Sequence, residues 1–257
     1  MAEPWPRTSY VTGGGPARVA LIALSSTVLP DPLPVSRRQH GMPDEGEGPA
    51  AVTIVARDRE ADPAWFTEQV LAPFTELIAG DLGPEAAATA LQSSHAYVIE
   101  AALADPDDLG HIQAAWALAK CVCEEGAAIV IDVYAARAHL GSEIAALAAD
   151  RGLDVLHEVT LFFDEQPDDS IAAWTMGLTK FGRPDLVLLG LRDDPEVTTN
   201  AALLLRDVAA SLVDGERIEP GDTVELPDGR MLQAGEFDPG TAPGVGVDGP
   251  ALLLASS

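Results

Sequence analysis

Trp174-Thr-Met-Gly-Leu-Thr-Lys-Phe-Gly-Arg-Pro-Asp185 decides how this chain is read. It sets two glycines, two aromatics, a lysine, an arginine and a proline between two apolar runs. Glu158–Phe163 upstream and Leu186–Leu189 downstream read as strands, so the stretch occupies a strand-turn-strand setting near the centre of a sheet. Gly177 and Gly182 supply backbone conformations that a side chain hinders, Pro184 fixes the exit into the next strand, and Trp174 and Phe181 are large enough to anchor a core. Lys180 and Arg183 are left over. Two cations on a tight turn suit either an anionic ligand or internal carboxylates, and the chain has 41 acidic residues to neutralise them.

Working outward from the motif, strands are predicted over 155–163, 171–177 and 185–191, followed by a helix over 195–213. Glu219–Leu232 holds a Pro-Asp-Gly turn between short alternating segments, which signals a hairpin. Ala251–Leu254 reads as a returning edge strand. Towards the other end, Arg18–Leu24, Ala51–Ala56, Ser94–Leu103 and Ala127–Val133 read as strands. Asp62-Pro63 opens a helix that Pro73 kinks, and residues 84–92 form another. Asp105–Asp108 is a turn and helix cap. The helix after it, Leu109–Glu125, carries Ile112, Ala115, Trp116, Ala119 and Val122 on one stripe, and a further helix is predicted over 135–151, ending at Gly152. Strands adjacent to strands, mixed with strand-helix-strand units, predict an α+β fold: a mixed β-sheet with helices mainly on one face, ferredoxin-like elements and a C-terminal β-hairpin.

The 257 residues, 47% of them hydrophobic, suffice for one substantial core, in one domain or two intimately packed halves. The expected organisation is a flexible lead over 1–17 and a single domain over 18–257, with a disordered loop at about 29–50 and a hairpin extension at about 217–257. Fifteen basic against 41 acidic residues give a formal charge of −26, which repels phosphate backbones and anionic headgroups. Nucleic acid and membrane are therefore disfavoured as partners. The excess acid means either solubility or a basic protein partner. No basic n-region with an apolar run follows Met1, and no apolar run reaches the roughly 18 residues of a membrane span, so the expected compartment is the cytoplasm. Cys121 and Cys123 lie two apart in one predicted helix and point to nearly opposite faces, so buried thiols are expected there.

Chemical motifs are sparse. Gly13-Gly14-Gly15 precedes a strand and lacks the GK[ST] signature of a phosphate loop, no G-x-S-x-G elbow exists, and no two of the five histidines have the i, i+4 spacing of a helical zinc site. No cofactor or metal is implied. One constellation bears on catalysis: His95 opens a strand, His111 opens a helix, Asp132 is an acid in an apolar strand, and Tyr134, Arg137 and His139 follow it. Convergence of these groups would give a polar pocket for acid/base work, while the competing reading makes them caps and backbone partners. Asp132, with the most apolar neighbours, is the first of them to test.

Ser94–Ile99, Ala114–Ala119, Asp132–Arg137 and, above all, Thr175–Asp185 resemble a bacterial domain family of unknown function with the pattern H-T-x-G-[LM]-x-K-F-G-x-P-[DE]. The resemblance covers roughly residues 90–235, and Trp174 stands where the pattern has His. It implies a bacterial cytoplasmic α+β protein and carries no mechanism with it. Three functional readings follow: a binding or interaction module that uses its acidic surface, a small-molecule enzyme built around His95, His111, Asp132 and His139, and a structural subunit of a larger assembly.

Overall fold

A computed structural model describes residues 3–44, 51–225, 231–242, 244–247 and 249–256. The fold is α+β, but it has two sheets where one is predicted. Two compact units carry them: the first takes the chain up to Pro6, Arg18–Leu103 and Asp108–Leu153, and the second Arg7–Ala17, Ala104–Asp107 and everything from Asp154 on.

In the first unit, β1 (Pro16–Ser25), β2 (Val52–Asp58), β3 (His95–Ala104), β4 (Ile129–Asp132) and β5 (Arg137–Leu140) form a sheet in the order β2-β3-β1-β4-β5. Ile22, Leu24, Ile129 and Ile131 of this sheet bury against Phe66, Val70 and Ile78. Those three come from a helical run of α2 (Pro63–Trp65), a π-helical turn over Phe66–Leu71 and α3 (Ala72–Leu82). Asp62 caps its start by accepting from the Trp65 amide. Pro73 has no N–H to give to the i−4 carbonyl, and the turn before it widens so that the Ala72 amide reaches Thr67. The predicted break at Pro73 is thus a π-turn. α4 (Pro84–Gln92) follows as predicted. α1 (Arg37–His40), with the buried Leu29 and His40, lies within the stretch read as a disordered loop; residues 45–50 of that stretch fall outside the described residues.

α5 (Gly110–Glu124) departs from its one-sided pattern. His111, Gln113, Ala114, Ala117, Lys120, Cys121 and Cys123 are buried along with the predicted stripe, and its many alanines let neighbours approach from every side. The helix predicted over 135–151 is absent. Asp132 accepts from the Ala135 amide at 3.1 Å and Ala136 adopts a φ of 45°, so the chain reverses and β5 pairs antiparallel with β4 from Ile129↔Leu140 to Asp132↔Arg137. α6 (Gly141–Ala145) is all that remains helical there. Alanine content favours a helix by only tenths of a kcal/mol per residue, and the ladder with β4 outweighs it.

In the second unit, β6 (Thr160–Glu165), β7 (Ser170–Met176), β8 (Asp185–Arg192), β9 (Thr223–Glu225), β10 (Met231–Glu236) and β11 (Ala251–Ser256) form a sheet in the order β6-β7-β8-β11-β10-β9. α7 (Val155–Glu158) takes the first half of the strand predicted over 155–163. α8 (Pro195–Asp214) begins at Asp194, whose side chain accepts from Glu196 and Val197. β7 is buried from Ile171 through Thr175, as a strand covered on both faces must be. Trp174 stacks on Phe162 at 5.5 Å, in a cluster with Val187, Ala242, Val245 and Val247. β11 is no edge: it runs parallel to β8 and antiparallel to β10, with Leu252 and Leu254 buried. The C-terminal hairpin is present as β9 and β10, and its Pro-Asp-Gly turn lies outside the described residues.

Candidate functional site

The opening motif forms β7, a 3-10 turn over Leu178–Phe181 and the start of β8. Gly177 has φ 121° and Gly182 φ 64°, and a side chain at either would collide with the carbonyl oxygen of Glu158 or Gly15. The close approach of the first brings Glu158 to Lys180: Nζ donates to Oε2 at 2.7 Å, and both side chains are wholly buried. His157 Nδ1 lies 3.1 Å from the other carboxylate oxygen. Burial pushes the Glu158 carboxyl upward, but Lys180 and then His157 outweigh it and hold the group well below the usual carboxylate range.

Asp185 closes the motif. Its Oδ1 accepts from Thr175 Oγ1 at 2.9 Å and from the Leu178 amide at 3.2 Å, while Thr175 Oγ1 accepts in turn from the Leu186 amide. Burial drives this carboxyl up to about 7, against the pull of those donors and of Lys180. Two buried carboxylates beside this turn are therefore pushed in opposite directions. The difference is the partner: a full positive charge for Glu158, neutral dipoles for Asp185.

Arg183 spends its guanidinium on the interior of the same unit. It donates to Asp105 Oδ1 at 2.8 Å and to the carbonyls of Val11, Gly182, Gly215 and Glu216. Asp105 accepts further from the Gly13 and Gly14 amides at 2.7 and 2.8 Å and from Tyr10. The triple glycine is thus an anion cradle filled by the protein's own carboxylate. Arg7 lies over the Tyr10 ring and donates to Pro106, Leu212 and Val213 carbonyls, the last two at the C-terminal end of α8. Burial lowers Arg7 to about 10. Residues 7–15, within the predicted flexible lead, are instead tied to this network. Lys180 and Arg183 each meet an internal carboxylate, Glu158 and Asp105, and both side chains are buried.

The catalytic constellation lies in the first unit. Register places Asp132 opposite Arg137 and Val130 opposite His139, so Asp132, Arg137 and His139 share one face of the β4–β5 hairpin. His139 meets Trp116 of α5 edge to face at 5.4 Å, and His111 lies in the first turn of the same helix. Asp132 and His111 are wholly buried and His139 nearly so. Asp132 works on the hairpin turn. His95 stands elsewhere, with its Nε2 3.7 Å from Asp58, and its neighbour Ser94 bonds to Ser25. Ser25 is four residues along β1 from Leu21, which faces Asp132; at ~3.3 Å per residue that is roughly 13 Å. Asp132 and His139 share a hairpin face, His111 is buried on α5, and His95 stands apart from them. A cleft beside them, walled by Trp5, His40, Trp116, Lys120 and Arg151, holds only ≈ 10 Å³, about one water. Cys121 and Cys123 are buried and free, their thiols raised by burial to about 11 and about 12. Among the described residues no three His, Cys, Asp or Glu side chains gather as a metal ion needs.

A roomier concavity is one the sequence did not mark. Between α8 and the edge strand β9 lies a groove of ≈ 480 Å³. Leu204, Val208, Ile218 and Val224 supply its apolar lining, and Asp207, Glu216, Asp222 and Glu225 its carboxylates. The available signal was faint: a three-residue alternation at Thr223–Glu225 facing acidic residues on the last helix. No protein-family model, curated protein or solved structure matches this chain. Among the described residues no helix is long and apolar enough to cross a membrane.

Proposed function

We propose that this protein is a binding module that holds a basic protein partner through its acidic surface. The observation that carries this reading is where the charges are buried. Among the described residues the interior takes up four cations, Arg7, Lys120, Lys180 and Arg183, but only three carboxylates, Asp132, Glu158 and Asp185. Among the described residues burial thus withdraws one more cation than carboxylate and does not reduce the acidic excess of the surface, which attracts cationic partners and repels nucleic acid. The enzyme reading is weaker: its candidate groups are enclosed or engaged in holding turns. The motif resemblance accords with a bacterial cytoplasmic setting for such a module.

Immobilised protein, exposed to a bacterial lysate beside a control protein of equal charge, tests this. The expected result is a stoichiometric basic protein retained at about 50 mM salt, released by about 300 mM, and not captured by the control. Retention of nothing in a salt-sensitive way overturns it.

A further inference from the structure

We propose that the groove between α8 and β9 receives an extended, basic segment of the partner, which adds to the sheet along β9. This rests on the binding-module reading and assigns it a place and a chemistry.

Among the described residues β9 is the outermost strand of its sheet and pairs only with β10. Successive residues of a strand direct their amide and carbonyl groups to alternate sides, so a strand with one neighbour offers half of them outward. Among the described residues no bond is made to the Thr223 or Glu225 backbone from the outer side. The next strand over therefore has a hydrogen-bonding template. β9 also borders the groove of ≈ 480 Å³ that α8 walls on its other side, in the size range of sites that bury a ligand's side chains.

The lining states what enters. Val224 is half-buried and opposite Leu232, which is buried, so a residue added across from Val224 directs its side chain to the same face, towards Leu204, Val208 and Ile218. An apolar side chain fits there. Residues on either side of it point to the other face, alongside exposed Glu225, where a lysine or arginine forms a favourable cross-strand pair. Glu216 and Asp222 extend the negative rim, Asp207 adds to it while accepting from its neighbour Arg206 at 2.8 Å, and Arg217 is paired with Glu219. The same carboxylates disfavour a second copy of this chain, whose own charge is −26. What remains is a strand of alternating apolar and basic residues, the β-augmentation mode of peptide recognition.

The test uses the full chain and two synthetic peptides of equal charge, one alternating lysine with valine and one alternating lysine with glycine. Amide NMR of the labelled protein is expected to show shifts at Thr223–Glu225 and along Leu204–Ser211. The valine peptide is expected to bind at least tenfold more tightly than the glycine peptide at 150 mM salt. Asp207→Lys with Glu225→Lys, and separately Ile218→Lys, are expected to weaken it at least tenfold while leaving the circular dichroism spectrum unchanged. Equal affinity for the two peptides, shifts scattered over the surface, or no binding of either overturns the groove assignment. So does concentration-dependent self-association that shifts the β9 amides, which makes a second copy the occupant. If the lysate partner is retained equally by the Asp207→Lys, Glu225→Lys variant, the groove fails while the acidic-surface reading stands.

Discussion

The interiors of the two units are built from different materials. In the first, α5 is buried on several sides, His111 and Gln113 among its buried residues, and its one buried lysine, Lys120, is satisfied chiefly by the carbonyls of Ala145 and Leu147, at 2.9 and 2.5 Å, with Glu124 3.4 Å away. In the second, a lysine and a glutamate are buried outright against each other, and an arginine runs five donated bonds into backbone and carboxylate. An apolar interior tolerates loss of a methylene by relaxing. A paired-charge interior does not tolerate loss of one partner, because the other is left in low dielectric without compensation. The second unit is therefore expected to lose most when one member of its lysine–glutamate pair, or one partner of its arginine, is removed.

The largest effect is expected at the ion pair. Lys180→Met should cost about 3–5 kcal/mol in urea unfolding, and adding Glu158→Gln should recover a large part of it, since the double variant strands no charge. Additive losses would show that Lys180 matters by shape alone. Next comes Asp185, whose carboxyl is raised in the folded state from 3.8 to about 7. A raised carboxyl gives its full contribution below the unfolded value and loses it as pH climbs through the folded one. Stability should therefore decline between about pH 4 and pH 7 by up to about 4 kcal/mol from this group, and Asp185→Asn should remove that slope. Glu158 acts with the opposite sign, its contribution being present above the ordinary carboxylate range and lost as acid protonates it. Parallel pH profiles for the wild type and Asp185→Asn would contradict the assignment. The smallest effect is expected in the first unit: Ile131→Val should cost about 0.5–1.5 kcal/mol, with no dependence on pH across the same range.

The same division explains what was legible in the residues. Apolar periodicity located β1, β3, β4, β7, β8 and both long helices, because a covered strand or a packed helix leaves its mark in the chain itself. The motif at Trp174–Asp185 was legible as the central turn of its sheet, and Gly177 and Gly182 have the close backbone approaches that their type suggests. What failed depended on partners distant in sequence. Ala135–Arg151 has helical composition, and only its position beside β4 makes part of it a strand. Arg7, Tyr10 and Asp105 looked like a lead and a turn, since nothing local announces that Asp105 will meet Arg183. Asp132 was rightly singled out as unusual, yet its neighbours could not tell a catalytic acid from one that holds the Ala135 amide. The groove beside β9 was the least legible of all, because an edge is a property of the sheet and not of the strand.

The place of β11 in its sheet has a consequence for synthesis. β8 finds its parallel neighbour only after the ribosome has made the chain from Arg192 through to Leu253, and the β9–β10 hairpin joins the rest of the sheet through that same strand. Until then the apolar edge of β8 waits uncovered, a span in which a nascent chain is exposed to wrong strand pairing. The first unit, complete by Leu153, meets no such delay. The sheet of the second unit can therefore close only once the chain through Leu253 exists, whereas the first unit has all its residues by Leu153.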